Sequence, residues 1–187
     1  SNGNLLGIAK TGSGTLVLSG NNTFTGGVLV RQGTLRVTST TQLGSATAAI
    51  TVAGGQLDLS GQTASNPFSI QSGTIANTSI NATNLTANVT GPAVFSGTLT
   101  GNTTTGMLTK SGTGTLVLTA TNTYTGTTTL SGGLLSISSD ANIGGTGAPL
   151  TFNAGGLQVT GTSLTSLASG RTTTFNGTQT VWFDIAD

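Results

Sequence analysis

The run Lys-Thr-Gly-Ser-Gly-Thr-Leu-Val-Leu-Ser-Gly-Asn-Asn-Thr-Phe-Thr-Gly at residues 10–26 returns 100 residues later as Lys-Ser-Gly-Thr-Gly-Thr-Leu-Val-Leu-Thr-Ala-Thr-Asn-Thr-Tyr-Thr-Gly at 110–126. The offset holds for Gly12/Gly112, Gly14/Gly114, Leu16/Leu116, Leu18/Leu118, Asn22/Asn122, Phe24/Tyr124 and Gly26/Gly126. It continues through Gly33/Gly133, Leu35/Leu135, Gly44/Gly144, Thr51/Thr151, Leu57/Leu157 and Gly61/Gly161. One module, over about 10–61 and 110–161, thus occurs twice. Among these pairs none is an acid, a base or a thiol. A chain that repeats packing letters and not reactive ones is a scaffold before it is a catalyst.

Within the module the apolar residues alternate. Leu16 and Leu18 share a face, and so do Leu35 and Val37, with Arg36 pointing out. The second copy places Leu116, Leu118, Leu130, Leu135 and Ile137 inward, and Ser136 and Leu134 outward. Val30, Ile50/Val52, Leu57/Leu59, Leu150/Phe152 and Leu157/Val159 extend the pattern. Period two means strands, and no i, i+3, i+4 apolar pattern runs far enough for an α-helix. The strands are short, with Gly or Asn in every gap. A chain that keeps turning with one row of side chains inward is an all-β solenoid. The expected fold is a right-handed parallel β-helix with three strands per coil. At roughly 22 residues per coil it makes about eight coils, a rod on the order of 40 Å long.

Corners of this kind need positive φ, which Gly reaches without steric cost. Asn22 and Asn122 are expected to take the left-handed conformation or to close an Asx turn. Residues 62–105 alternate more weakly, with candidate strands at Pro67-Phe68-Ser69-Ile70, Ser79-Ile80, Leu85-Thr86, Val94-Phe95 and Thr98-Leu99. No composition break marks a linker, so one continuous unit over 1–187 is expected.

Composition removes several classes of function. Charged residues are 5 % of the chain, net charge is +1, and Cys, His and Glu are absent. Disorder couples low hydrophobicity to high net charge; here 34 % of residues are hydrophobic and alternate, so the chain folds. The cations Lys10, Arg31, Arg36, Lys110 and Arg171 are too sparse to displace counterions from a phosphate backbone, which argues against nucleic acid. No apolar run reaches the ~18 residues of a spanning helix, so no direct membrane insertion is expected. No signal peptide opens at Ser1, as in a processed or excised piece. Lack of Cys fits either a small polar vocabulary or export of an unfolded chain through a narrow pore.

The pattern Gly-x-Gly-Thr-Leu-x-Leu-x-x-x-Asn-Thr-Tyr/Phe-Thr-Gly, followed by Gly-x-Leu-x-Val/Ile, resembles the autotransporter-associated β-strand repeat of bacterial type V secretion passengers. It is carried at Gly12 to Leu35 and Gly112 to Leu135, and Ala93–Gly101 is similar to the segment that precedes such a repeat. Ala120 and Thr127 depart from Gly20 and Gly27 of the first copy. The resemblance implies a parallel β-helix on the bacterial surface, with a C-terminal outer-membrane β-barrel that these residues do not include. It names no receptor and no reaction.

Parallel β-helices also host enzymes, so the carboxylates matter. Glycoside hydrolysis usually needs a pair of them. The candidates are Asp58, expected on an outer face, Asp140 in a turn, and Asp184 and Asp187 near the end; none recurs in the other copy. Without His or Cys, a histidine-based triad or Cys/His zinc site has no ligands. Ile143–Leu150 is similar to a calcium nonapeptide, but Pro149 replaces the ligand Asp. Gly12–Gly14 lacks the lysine and helix of a phosphate loop. The expectation is no catalytic site, no metal and no cofactor, with any binding residues unassigned.

Threonines at 121–125 and 127–129 suit a flat glycan or ice face, yet Thr also favours strands. Sequons at Asn77, Asn81, Asn84, Asn88 and Asn102 follow from an Asn- and Thr-rich composition. In Val181-Trp182-Phe183-Asp184-Ile185, alternation turns Trp182 outward and the apolar residues inward. The chain therefore reads as a structural, adhesin-like passenger segment whose folding assists secretion. Its expected partners are adjoining coils, the barrel and a host-surface or glycan receptor. The alternatives are a carbohydrate-active β-helix enzyme and a glycan- or ice-binding surface protein.

Overall fold

A computed structural model describes residues 6–81, 85–101, 107–176 and 180–185. Every strand pairing is parallel. One face of the rod stacks Ile8–Lys10, Val28–Val30, the first part of Ile50–Asp58, the first part of Phe68–Ala76, Leu85–Asn88, Leu108–Ser111, Thr128–Leu130, Leu150–Phe152 and Thr173–Phe175. A second face stacks Thr15–Val17, Thr34–Arg36, the later parts of the two long strands, Ala93–Phe95, Thr115–Leu118, Leu134–Ile137, Gly156–Val159 and Phe183–Ile185. Nine rungs make eight turns, as the periodicity predicts.

Successive rungs of the first face are 17 to 23 residues apart. The two copies of the module step identically. Ile8 pairs with Val28 and Val28 with Ile50; Leu108 pairs with Thr128 and Thr128 with Leu150. Both copies thus advance by 20 and then 22 residues.

The third face departs from expectation. Among the described residues, strands form there only at Thr63–Ala64, Ser79–Asn81 and Thr98–Thr100. In the module coils the same stretch is an Asn/Thr/Gly loop, or a 3-10 turn at Thr40–Leu43 and Asp140–Ile143. Each turn is closed by a capping box, Ser39 with Gln42 and Ser139 with Asn142, which supplies acceptors to the free N–H groups of the first residues. Three strands per coil is therefore a property of the middle coils, and the module coils carry two. All five candidate strands in 62–105 are present.

The core is one stacked row of Leu, Ile, Val and Phe. Val30, Leu35, Val37, Leu116, Leu118, Leu130, Leu135 and Ile137 are buried as expected. Leu16 is not: it is 37 % exposed, and Leu18 is only partly buried, because no described coil lies over the first copy. The opposite end behaves alike. Phe183 and Ile185 pair with inward Leu157 and Val159, so their phase is as read, but each is exposed. Ser136, read as outward, is buried; its small side chain sits in the column between the larger Val117 and Gln158.

Candidate functional site: the repeated corner

Lys10, the last residue of Ile8–Lys10, and Lys110, the last but one of Leu108–Ser111, point inward, in register with Val30 and Leu130. A buried ammonium needs acceptors. Lys110 Nζ donates to the carbonyls of Ser111 (2.8 Å), Gly112 (3.2 Å) and Gly132 (2.9 Å). Lys10 Nζ donates to Thr11 (2.9 Å), Gly12 (2.6 Å) and Gln32 (3.0 Å). Each lysine thus ties its own corner to that of the next coil. Burial pushes the Lys110 ammonium down to about 8. Gly133 completes the nest at φ +60; a Cβ there would lie 2.3 Å from Gly114 O and 2.7 Å from Lys110 Nζ. Gly33 stands in the same position over Lys10. The sequence signal for this pair is a cation at an inward phase in both copies.

Asn22 and Asn122 do not turn the chain locally: the only non-glycine residues at positive φ among those described are Ser60 and Asn77. Their amides reach across coils instead. Asn22 Nδ2 donates to Gln42 O at 2.8 Å, and Asn122 Nδ2 donates to Asn142 O. Asn122 Oδ1 also accepts the N–H of Leu99 at 2.7 Å, so it clasps three coils. Tyr124 fills the space beneath, its hydroxyl 2.6 Å from Thr128 Oγ1. Burial raises that phenol to about 12 despite the hydroxyl partner.

The Gly-rich corner after each 3-10 turn presents carbonyls inward. In the first copy Asn66 Nδ2 donates to Ser45 O (3.0 Å) and Ala48 O (3.1 Å). In the second, Arg171 does this work, donating to Ile143 O (2.9 Å) and Ala148 O (2.5 Å) while forming an ion pair with Asp140 (2.9 Å). The segment similar to a calcium loop is thus a carbonyl nest filled by a guanidinium.

Each described carboxylate has its own structural partner. Asp58 is on the outer face, as read, but is covered. Burial opposes its ionisation, yet the N–H of Ser60 (2.9 Å), Asn77 Nδ2 (3.2 Å) and Arg36 Nε (2.9 Å) outweigh it and lower the pKa. Asp140 is likewise penalised by burial and lowered overall by Arg171 and the Ala168 N–H. Asp184 accepts from Gln158 Nε2 at 2.7 Å. Asp187, Asn84 and Asn102 lie outside the described residues. No two described carboxylates share a partner, and among the described residues no three His, Cys, Asp or Glu side chains gather as a metal site.

Two surface features remain. Thr121, Thr123 and Thr125 are exposed beside buried Asn122 and Tyr124, and the sequon residues Asn77, Asn81 and Asn88 are exposed. Trp182 points outward as read, 64 % exposed, beside Leu134, Thr113 and Asp184 in an open groove. No described helix is long and apolar enough to cross a membrane.

Residues 8–37 and 108–137 each match the passenger-associated-transport-repeat. The chain is also 39 % identical, over 132 residues, to the adhesin BmaC autotransporter of Brucella suis biovar 1 (strain 1330). That stretch covers 65 % of this chain and 4 % of the relative, so the chain spans a small part of that protein's length. No solved structure matches. The two matched segments run from the inward lysine strand through the Asn clasp to the strand below. Both copies of the module are thus passenger-associated transport repeats.

Proposed function

We propose that this autotransporter passenger repeat region is a rod-like structural segment of a surface adhesin, displayed outside the outer membrane, and that its folding helps draw the chain outward. The observation that carries the reading is the position of the two transport repeats. Both lie in one uninterrupted parallel ladder, with the same 20- and 22-residue steps. Each added coil buries an apolar row and completes a ladder of hydrogen bonds, so folding on the far side opposes back-sliding. The partners are the adjoining coils of one continuous unit and a C-terminal β-barrel translocator. The segment has no reaction of its own: its described carboxylates hold the fold, and Lys10, Lys110 and Arg171 fill carbonyl nests.

The test uses the full-length autotransporter on intact cells. Leu116→Asp, which stops the second transport repeat from stacking, should lower protease-accessible passenger at the surface while leaving synthesis unchanged. Surface display equal to that of the parent would defeat the folding-assisted part. A second reading, contact with a glycan ring, has one specific observation, the exposed indole of Trp182 beside Asp184 and Gln158. Quenching or shift of Trp182 emission on glycan addition tests it.

A further inference from the structure

The outer surface of the first face carries a pattern that core packing does not explain. In five successive rungs Thr86, Thr109, Thr129, Thr151 and Thr174 stand one over another, with no register shift between them. The column runs on through Ser69 and Thr51, so seven rungs in a row hold a hydroxyl there. Each of the five threonines lies between two residues of the inward row and is at least partly exposed. Two residues further along, the same rungs carry Asn88, Ser111, Ser131, Asn153 and Asn176. Asn88 pairs with Ser111. The N–H groups of Ser131, Asn153 and Asn176 donate one rung back, to Lys110 O (2.7 Å), Leu130 O (2.8 Å) and Phe152 O (2.8 Å). Side chains tie this second column together: Asn176 Nδ2 donates to Asn153 Oδ1 at 3.3 Å, and Asn153 Nδ2 to Ser131 Oγ at 3.4 Å. The two columns form a grid that repeats at about 4.8 Å between rungs and about 6.6 Å along a strand. No member of the grid is charged or aromatic.

The internal offset shows that the fold does not demand these residues. Where the second copy has Thr109, Thr129, Ser131 and Asn153, the first has Ala9, Leu29, Arg31 and Ala53. The backbone steps are the same in both. Strand propensity would favour threonine equally in either copy, so it does not account for the difference. The second face offers another contrast over the same rungs. There Val94, Val117, Ser136, Gln158 and Asp184 share one column and have no chemistry in common. The grid is therefore a property of one face and of its later rungs.

We infer that this two-column grid is a binding face for the surface of ice. A soluble ligand needs one pocket, whereas a repeating array of shallow sites matches a repeating solid. Ice presents neutral oxygens, each both donor and acceptor, at spacings close to those of stacked strands. A threonine hydroxyl donates and accepts in the same way. Its β-branch confines χ1, so little side-chain freedom is lost on contact. Charge complementarity points to the same occupant, because an ion on the face would hold its own hydration water against the lattice, and the grid has none. A sugar ring is better served by an aromatic platform, which the grid lacks. The inference goes beyond the rod reading and needs from it only that the rungs stack.

The experiment grows ice slowly from a solution of the 1–187 chain and compares the protein in the ice with that left in the liquid. The parent should concentrate in the ice, while a globular protein of similar size stays behind. Thr129→Leu with Ser131→Arg gives the central rung the residues that the first copy carries on the same backbone. That variant should keep the circular dichroism and denaturant midpoint of the parent. Its enrichment should fall at least about tenfold, because an array of weak contacts is broken in its middle. Ser131→Arg alone repeats the test with a single, partly exposed change. Gln158→Arg, on the second face, should leave enrichment as it is. A folded parent that stays in the liquid overturns the proposal, and so does enrichment that survives the rung change. Retention on crystalline cellulose or chitin without enrichment in ice would assign the face to a polysaccharide instead. A dimer that the rung change dissociates, again without enrichment in ice, would assign it to a second copy. A parent chain without β-solenoid circular dichroism would bring down the rod reading itself; a folded rod that ignores ice sinks only the ice face.

Discussion

The module coils and the coils between them build one ladder in two ways. In the middle coils the third face is a strand, and backbone pairs with backbone at Thr63–Ala64, Ser79–Asn81 and Thr98–Thr100. In the module coils that face is loop and 3-10 turn, so side chains must satisfy what a ladder satisfies elsewhere. There Asn122, Asn142 and Arg171 reach backbone carbonyls of other coils, and Lys110 does the same at the corner between the first two faces. The sequence is therefore most regular where the backbone is least regular. A ladder tolerates many side chains, but a carbonyl nest accepts only a donor of the right length.

This contrast should vanish in the core and be largest at the corners. Leu116→Ala and Ile80→Ala remove fully buried side chains from the two kinds of coil, and each should cost about 2–5 kcal/mol in denaturant titrations. At the corners the outcomes should part. Gly133→Ala forces a Cβ against two carbonyls at positive φ and should also cost about 2–5 kcal/mol. Gly91→Ala, in a middle coil, meets only Ser72 Cβ at 3.4 Å and should stay within about 1 kcal/mol. Similar losses at Gly133 and Gly91 would mean that these two corners are not under different constraint, whereas Gly73→Ala, at φ +90 and 2.2 Å from Gly55 O, should behave as Gly133→Ala does.

The clasp comes next. Asn122→Ala strands a buried N–H of Leu99 and a carbonyl of Asn142, and should cost about 1–3 kcal/mol. Asn81→Ala, exposed at the end of a ladder strand, should stay within about 0.5 kcal/mol. A double variant of Asn122 and Tyr124 that is merely additive would show that the corner is not one packed unit.

Much of this was legible beforehand. Alternation located the strands and the inward row, and the 100-residue offset located the module. Leu16 is inward in phase yet exposed, because phase says which way a side chain points and not whether a coil lies over it. Asn22 and Asn122 were read as turn residues because local rules are blind to a carbonyl 20 residues away. Counted by composition, Lys10 and Lys110 are ordinary charges, but Ile8-Ala9-Lys10 and Leu108-Thr109-Lys110 put both in the inward phase. Arg171 and Asn66 have no repeated counterpart, and nothing in the sequence pointed to the nests they fill.

The smallest expected effect is a pH dependence at Lys110. Its pKa in the folded chain is about 8, against 10.5 for an ordinary lysine, and burial is the cause. The folded state therefore releases the proton first as pH rises. Between the two values the unfolded chain holds more protons, so stability increases with pH across that window; the burial penalty is fully present below about pH 8. The three carbonyls oppose the increase, because they favour the ammonium and a neutral amine donates to only two of them. Denaturant midpoints of the parent and of Lys110→Met, taken near pH 7 and near pH 10, isolate it. The parent should gain on the Met variant as pH rises. An identical slope in both would place the titration elsewhere, and a parent that loses stability over that window would mean that the nest stabilises the charge more than burial penalises it.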